Sequence, residues 1–388
     1  MTRTGLDIIA EGAGPALAGR RIGLLANQAS VDSSFRHATE VLLGRGAALS
    51  CLFGPQHGPA GLTQANMIEW EGYRDPALGI PVHSLYGSTR EPTAPMLEGL
   101  DAVVIDLPDV GARPYTYIWT ALLTMRACAA AGIRVVVLDR PNPIGGEAVE
   151  GPVLEPGFES FVGLRPLAMR HGMTIGETLS MLRAEEGLDG PFEVVPVEGW
   201  RRNMHFDETG LHWVPPSPNI PTPRTALLYA GMVLLEGTNI SEGRGTTIPF
   251  EMIGAPWIDP GGYAAALARS PVSGAAFRPA VFRPTFDKHA GEDCGGVQIH
   301  VTDRGAFRPV LCAVSAILAA AALCPGSFRW AEPPYEYETL RPPIDILYGS
   351  AGLREAAAGG RSPAEVASAW RAGERAFAGR RRPYLLYD

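Results

Sequence analysis

The chain lacks several features that would assign it to a common class of protein. It has only five cysteines in 388 residues, and they are scattered, odd in number and without CxxC spacing. We therefore expect neither disulfides nor a zinc site, and reduced thiols predict a cytoplasmic protein. The first residues show no long apolar run and no small-residue cleavage site, so no signal peptide is predicted.

Long hydrophobic runs and an excess of positive charge are also lacking. The most apolar segment, Val310–Cys324, lies between Pro309 and Pro325 and is too short to cross a bilayer, so we expect a buried helix. The net charge of −8 argues against general affinity for nucleic acid or anionic membranes, and neither is expected as a partner. The 46% hydrophobic content suits a globular protein, and the length predicts two domains.

The motifs of several enzyme classes are missing as well. There is no P-loop, and the glycines of Gly12–Gly14 neither follow a predicted strand nor fit a dinucleotide fingerprint. No HExxH or close His/Cys cluster indicates a catalytic metal, and His57, His171 and His289 are isolated. No GxSxG elbow indicates a serine hydrolase. We therefore expect no cofactor and no metal, and a chemistry based on carboxylates, amides, tyrosines and arginines.

Short apolar runs in the first half of the chain each end in a cluster of polar residues and glycine. Helical patterns over residues 35–46 and 117–131 lie between some of these runs. Alternating strands and helices predict an α/β fold with a mostly parallel sheet covered on both faces. The polar clusters would then lie at the carboxyl edge of the sheet, where open α/β sheets bind ligands. The predicted strands are Arg21–Ala26, Leu49–Phe53, Pro81–Leu85, Ala102–Ile105 and Arg134–Leu138.

A proline-rich stretch between residues 215 and 223 marks the predicted domain boundary. Its five prolines fix φ and remove donors, which predicts a rigid, extended connection. We predict a first domain over residues 1–215 and a second, smaller α/β domain over 216–388. Capping boxes at Thr174 and Ser362 predict helix starts. Further helices are predicted at 225–235 and 310–324, and further strands at 192–197 and 296–302.

Three loop clusters carry most of the side chains that could act in catalysis or in ligand binding. Residues 106–117 hold two acids, an arginine and two tyrosines, and residues 139–152 form a stiff loop with both charge signs. Residues 236–247 place two acids, an amide, an arginine and hydroxyls among three glycines, which favours close approach to a ligand. The alternative for each cluster is a loop whose polar groups only shape a turn. Glu150, an acid in an apolar setting, is expected to have a raised pKa.

Ten longer segments occur in the order typical of one known family, from about residue 21 to 302. They are GLLANQAS, GPQHG, PVHSLYG, DVGARPYTYIWT, LDRPNPIGG, VEGPVLE, FVGLRPLAMRHGMTIGE, PPSPNIPT, EGTNISEGRGTTIPFE and CGGVQIHV. In these segments the chain resembles the exo-β-N-acetylmuramidases of the NamZ type, formerly a family of unknown function. The resemblance implies a Rossmann-like domain, a smaller α/β domain and an active site in the cleft between them. It also implies release of N-acetylmuramic acid from the non-reducing end of peptidoglycan fragments, an activity that would suit cell-wall recycling in the cytoplasm.

The substrate implied by the resemblance fits the polar residues of the clusters. Arginines would pair with its lactyl carboxylate through bidentate hydrogen bonds. Amide side chains would hydrogen-bond its acetamido and hydroxyl groups. The predicted substrate-binding residues are Asn27, Gln56, His57, Arg113, Tyr115, Arg140, Asn219, Asn239 and Arg244.

Glycoside hydrolysis needs two carboxyl groups on either side of the scissile bond. One protonates the leaving oxygen, and the other serves as base or nucleophile. We predict that Glu150 and Glu242 supply them, one from each domain, with Asp109 in reserve. These acids are chosen because they lie in the strongest acid-bearing clusters.

One position departs from the pattern of the family. Many members have glutamate where this chain has Gln56, and an amide does not exchange a proton at neutral pH. Glu69 or Glu71 is an alternative source of the acid, or the acid pair lies elsewhere and Gln56 only binds sugar. An alternative function is a non-catalytic protein that binds cell-wall amino sugars, and a third is a nucleotide-dependent enzyme, based on fold analogy alone.

Overall fold

A computed structural model describes all 388 residues, and its first half is built around one large sheet. The strands of this half are β1 (Arg21–Ala26), β2 (Ala48–Gly54), β3 (Tyr73–Arg74), β4 (Pro81–Ser84), β5 (Ala102–Asp106), β6 (Arg134–Leu138), β7 (Glu150–Val153), β8 (Ala168–Arg170) and β9 (Phe192–Val195). The helices are α1 (Gly5–Ala10), α2 (Ala38–Gly44), α3 (Ala94–Leu97), α4 (Tyr117–Ala130) and α5 (Ile175–Glu186).

The large sheet has seven strands in the order β3-β4-β2-β1-β5-β6-β9. All neighbouring pairs are parallel except β3 with β4 at one edge. The chain moves outward in one direction from β1 through β2 and β4, and in the other from β5 through β6 and β9. This reversal between β1 and β5 is typical of doubly wound folds. The predicted α/β class with a mostly parallel, Rossmann-like sheet is confirmed.

Local sequence explains why these elements form where they do. The central strand β5 has the sequence AVVID and is buried at every position, as expected for a parallel strand covered on both faces. Helix α5 begins at the predicted capping box. There Thr174 Oγ1 accepts from the Glu177 amide at 3.2 Å, and Glu177 Oε2 accepts from the Thr174 amide at 3.0 Å. The helix ends at Gly187, whose φ is +61°.

The second half is mainly helical and carries a small antiparallel sheet of order β10-β12-β11. The strands of the second half are β10 (Met252–Ala255), β11 (Ala275–Phe282) and β12 (Cys294–Val301). No helix of the molecule combines the length and the apolar character needed to cross a membrane. The second half has six α-helices in addition to its strands. Its helices are α6 (Pro223–Met232), α7 (Pro260–Ala268), α8 (Pro309–Leu323), α9 (Pro343–Tyr348), α10 (Gly352–Ala358) and α11 (Pro363–Arg381).

The two halves share the larger of two hydrophobic clusters. It joins 75 buried apolar side chains from both halves, from Leu25 to Phe377. The end of the chain also returns to the first half, where Arg381 Nη1 donates to the His171 carbonyl at 2.8 Å. A site between the two halves is therefore fixed in shape, because both halves that border it are tightly packed.

The proline-rich stretch crosses the carboxyl edge of the large sheet. Gln28 Nε2 donates to the Pro215 carbonyl at 2.8 Å, and Asn27 Nδ2 and Tyr117 Oη donate to the Pro216 carbonyl at 2.8 and 2.9 Å. These three contacts fix the connection in place. They also bring the start of the second half over the ends of the strands.

Candidate active site

A small cavity lies between the carboxyl edge of the large sheet and the second half. Its volume is only about 20 Å³, and it is lined by polar and aromatic side chains. The first half contributes Gln56, His57, Asn66, Tyr115 and Thr116. The second half contributes Ser217, Asn219, Tyr229, Glu236, Arg244, Tyr335 and Glu336.

Glu336 enters the cavity from a tight turn. Tyr335 and Glu338 exchange two backbone hydrogen bonds of 2.9 Å, and the two residues between them, Glu336 and Tyr337, have φ of +45° and +68°. Such a turn normally uses Asn or Gly, because left-handed φ costs other residues on the order of 1–3 kcal/mol each. Strain of this kind is tolerated mainly at functional sites, so the turn marks Glu336 as a candidate functional residue.

The Glu336 carboxyl group meets only neutral hydrogen-bond donors. Tyr86 Oη donates to its Oε2 at 2.9 Å, and Gln56 Nε2 donates to its Oε1 at 2.9 Å. The side chain is buried, and the charge of Arg244 acts on it without forming a salt bridge. Burial raises the pKa of Glu336 to about 7. A carboxyl group with this pKa can hold a proton at neutral pH and release it to a substrate.

Glu236 is the second carboxylate in the cavity, and its surroundings are different. Arg244 Nη2 donates to Oε1 at 2.8 Å, and Asn66 Nδ2 donates to Oε2 at 2.9 Å. The Tyr335 hydroxyl also donates to Oε2. Glu236 is thus held in an ion pair, whereas Glu336 is not. Two carboxyl groups in such unequal environments are the arrangement expected of an acid and its partner carboxylate.

Arg244 is itself fixed from behind. Its Nε lies 3.2 Å from Glu242 Oε1, and Glu242 Oε2 accepts from Lys288 Nζ at 2.9 Å. Although burial opposes it, the charges of Lys288 and Arg244 lower the pKa of Glu242. Lys288 is the only lysine of the chain. Glu242 therefore supports Arg244 and does not itself line the cavity.

The side-chain amide of Gln56 has a defined orientation. Its Oε1 accepts from Thr116 Oγ1 at 2.7 Å, so its Nε2 faces the cavity as a donor. Nε2 lies 2.9 Å from both Glu336 Oε1 and Asn66 Oδ1 and 3.1 Å from Tyr86 Oη. Gln56 is therefore a donor with three oxygen atoms within hydrogen-bond distance.

The structure brings five of the nine predicted binding residues to the cavity. They are Gln56, His57, Tyr115, Asn219 and Arg244. Burial and the charge of Arg244 lower the pKa of His57 to about 4, so its imidazole is neutral at physiological pH. His57 Nδ1 lies 2.8 Å from the Thr63 carbonyl, which it contacts as a donor.

The other four predicted binding residues do not line the cavity. Arg140 forms a bidentate pair with Asp106 at 2.5 and 2.8 Å, so its guanidinium is already matched to a carboxylate. Arg113 is fully buried and donates to backbone carbonyls. Asn27 holds the proline-rich stretch, and Asn239 Nδ2 donates to a backbone carbonyl at 2.9 Å. Their hydrogen-bonding groups are used within the protein.

The structure also separates the predicted catalytic acids from the cavity. Asp109 accepts from the Gly111 amide at 2.8 Å and lies 3.3 Å from His171 Nε2, in a neighbouring loop. Glu69 and Glu71 are exposed. Glu242 lies behind Arg244, as described above. The geometry therefore favours another carboxylate pair, Glu236 and Glu336.

Glu150 has the environment that the sequence suggested but a different location. Burial raises its pKa to about 7. Its Oε1 accepts from the Leu311 amide at 2.9 Å, in the first turn of α8, where a carboxylate stabilises unpaired backbone donors. Glu150 does not line the cavity. The structure thus supports a structural role for Glu150, which stabilises the first turn of α8.

We expect Glu150→Gln to keep the wild-type kcat/KM, because the side chain does not line the cavity and the amide oxygen can still accept from Leu311. Stability should depend on pH. The folded-state pKa lies above the ordinary value of 4.5, so the wild type loses stability as pH rises from 4.5 through 7 and the variant does not. Urea unfolding at pH 4.5 and 8, with an activity assay, checks both points. A large loss of kcat would return Glu150 to the catalytic machinery.

Sequence reasoning missed Glu236, Glu336 and Asn66 as site residues. Glu236 opens the loop cluster of residues 236–247, but the sequence favours Glu242 of that cluster. Glu336 lies in the segment PPYEYETL, where an acid between two tyrosines is the only available signal. Asn66 lies in a segment without helix or strand and has no sequence signal of its own.

Comparison with known proteins assigns the chain to a family. Residues 22–224 match the family domain described as "Exo-beta-N-acetylmuramidase NamZ, N-terminal", and residues 227–387 match its C-terminal counterpart. The chain belongs to the NamZ family. The peptidoglycan beta-N-acetylmuramidase NamZ of Bacillus subtilis (strain 168) is 42% identical over 386 residues, which cover 99% of this chain and 91% of that relative. The predicted resemblance is confirmed, and NamZ is a glycosidase family.

Two solved structures share the fold of this NamZ family member. Both are DUF1343 family proteins of Bacteroides fragilis NCTC 9343. One has a TM-score of 0.89 and 33% identity, and the other has a TM-score of 0.78 and 27% identity. In each case the comparison covers 100% of this chain and 99% of the other chain.

Proposed function

We propose that the protein hydrolyses the glycosidic bond of N-acetylmuramic acid at the non-reducing end of peptidoglycan fragments. The observation that carries the proposal is the pair of buried carboxyl groups in one cavity. Glu336 has neutral donors and a pKa raised to about 7, whereas Glu236 is ion-paired with Arg244. Membership of the NamZ family supplies the substrate class.

In the proposed mechanism Glu336 is the general acid. It donates its proton to the glycosidic oxygen as the bond from that oxygen to the anomeric carbon breaks. The Glu236 carboxylate stabilises the positive charge that develops at the anomeric carbon. Water supplies the hydroxyl group of the released sugar and the proton that restores Glu336. Of the predicted binding residues, we propose Gln56, His57 and Tyr115 as sugar contacts.

Gln56 does not require a non-catalytic function. That alternative arose because an amide cannot act as an acid. Glu336 Oε1 lies 2.9 Å from Gln56 Nε2, so a carboxyl group is available next to Gln56. In this proposal the second half of the chain supplies the proton donor.

We also propose a cytoplasmic location and a role in recycling cell-wall fragments. All five cysteines are free, and four of them are buried. This agrees with a reducing compartment. Fractionation of cells with an antibody against the protein tests the location, and recovery in the secreted fraction would contradict it.

The function is tested with two substrates that differ only in the terminal sugar. One is a chromogenic β-glycoside of N-acetylmuramic acid, and the other is the same glycoside of N-acetylglucosamine. We expect the wild-type protein to release the chromophore from the first and to act on short peptidoglycan fragments from the non-reducing end. Tight binding of N-acetylmuramic acid without release of product would instead support the binding-protein alternative.

A further inference from the structure

Asn66 occupies a central position in the cavity, although it belongs to a surface segment. The covering segment (residues 59–69) follows β2 and contains neither helix nor strand. Asn66 Nδ2 donates to Glu236 Oε2 at 2.9 Å, and its Oδ1 accepts from Gln56 Nε2 at 2.9 Å. Its side-chain amide thus bridges the two halves of the chain.

The partners of Asn66 form a matched donor and acceptor pair. Thr116 fixes the Gln56 amide so that Nε2 points to the cavity as a donor. Glu236, ion-paired with Arg244, can only accept. A carbonyl oxygen next to an N–H satisfies both groups at once. The 2-acetamido group of an amino sugar offers the same two groups, a carbonyl oxygen and an N–H of one amide, although it is attached through its nitrogen and not through its carbon.

We propose that Gln56 and Glu236 form the subsite for the 2-acetamido group of the substrate, and that Asn66 fills this subsite until the substrate displaces it. The inference rests on the function proposed above. In the complex, Gln56 Nε2 donates to the acetamido carbonyl, and Glu236 accepts from the acetamido N–H. This gives Gln56 a role that a glutamate at this position, once ionised, does not perform.

Besides those of Asn66, the covering segment has few hydrogen bonds to the rest of the chain, which makes displacement feasible. Asn219 Nδ2 donates to the Gln64 carbonyl at 2.6 Å, His57 contacts the Thr63 carbonyl, and the Glu336 amide donates to Met67 Sδ at 3.3 Å. Leu62 is 82% exposed. Segments with few buried apolar contacts and no regular hydrogen bonding open at low free-energy cost.

The proposed subsite selects for an acetylated nitrogen. A sugar with a free amino group offers no carbonyl to Gln56 and would leave its Nε2 without a ligand partner. Sites with buried polar groups discriminate strongly against ligands that leave those groups unpaired. Muramic acid is therefore expected to bind much more weakly than N-acetylmuramic acid.

The test uses calorimetry to measure how tightly N-acetylmuramic acid and muramic acid bind to the wild type, to Asn66→Ala and to Gln64→Ala. We expect Asn66→Ala to bind N-acetylmuramic acid roughly tenfold more tightly, because two internal hydrogen bonds no longer have to be broken. The gain for muramic acid should be much smaller. Gln64→Ala is the matched control, since its exposed side chain lies on the same segment, and it should bind like the wild type. Asn66→Ser, too short to reach both partners, should repeat the gain if the alanine variant folds poorly.

Two results would overturn the inference. Weaker binding of N-acetylmuramic acid by both Asn66 variants would make Asn66 a substrate contact and not a displaced residue. Equal affinity of the wild type for the two sugars would exclude an acetamido subsite. Hydrolysis is measured in parallel to separate the two proposals. If the preference for the acetylated sugar and the gain in Asn66→Ala are found without any hydrolysis, only the proposed function fails.

Discussion

Glu336→Gln is expected to lower kcat/KM by about 10²–10⁴-fold at neutral pH, because an amide cannot donate the proton that the leaving oxygen requires. The loss should appear in kcat, since Gln can still accept from Tyr86 and keep the turn in place. The chromogenic N-acetylmuramic acid glycoside provides the measurement. Glu150→Gln is the matched control, because Glu150 is also buried with a pKa raised to about 7. A Glu336→Gln enzyme that turned over at the wild-type rate would exclude Glu336 as the acid.

The Glu336→Gln variant should become more stable than the wild type as pH rises. The pKa of Glu336 is about 7 in the folded state and 4.5 as an ordinary side chain. Between these values the folded state binds more protons than the unfolded state, so the wild type loses stability with rising pH. Glutamine has no such dependence. We expect a gain on the order of 1–3 kcal/mol at pH 8 and none at pH 4.5 by urea unfolding.

The activity of the wild type should depend on pH through the same group. Glu336 must be protonated to act, so kcat/KM is expected to fall on the alkaline side with an apparent pKa near 7. Above that value the fall should approach tenfold per pH unit. A pH–rate profile that stayed flat from pH 6 to 9 would contradict the assignment.

Arg113→Ala is expected to destabilise the fold by roughly 3–5 kcal/mol. The Arg113 guanidinium is fully buried and donates to the carbonyls of Pro152 and Leu167 at 2.9 Å and of Leu347 at 2.8 Å. It thus joins the β7–β8 region to α9 in the second half. Alanine leaves three buried acceptors unpaired and a cavity in their place.

Urea unfolding and steady-state kinetics together test this role of Arg113. A structural arginine predicts a lower unfolding midpoint with little change in KM under native conditions. An arginine that binds the lactyl carboxylate predicts the opposite, a raised KM with normal stability. Arg283→Ala is the control, because Arg283 pairs with Asp293 on the exposed surface, and no measurable change in stability is expected there.

Much of the fold could be predicted because its signals are local. Strands β1 and β6 have the predicted bounds, and the capping boxes at Thr174 and Ser362 start α5 and α11. Alternation of strands with helices also predicted a parallel sheet, and with it the carboxyl-edge position of Gln56 and His57. Propensity, periodicity and capping act over a few residues, so one sequence contains them.

The sequence by itself determined the family and the mostly parallel sheet. It also predicted a raised pKa for Glu150, and a second glutamate, Glu336, has the same property in the structure. Only the tertiary structure distinguishes their surroundings, because it places Glu150 beneath α8 and Glu336 beside Gln56, 280 residues away in sequence. The pairing of Asn66 with Glu236 spans 170 residues. Such contacts depend on how the two halves pack, and no local pattern in the chain specifies that packing.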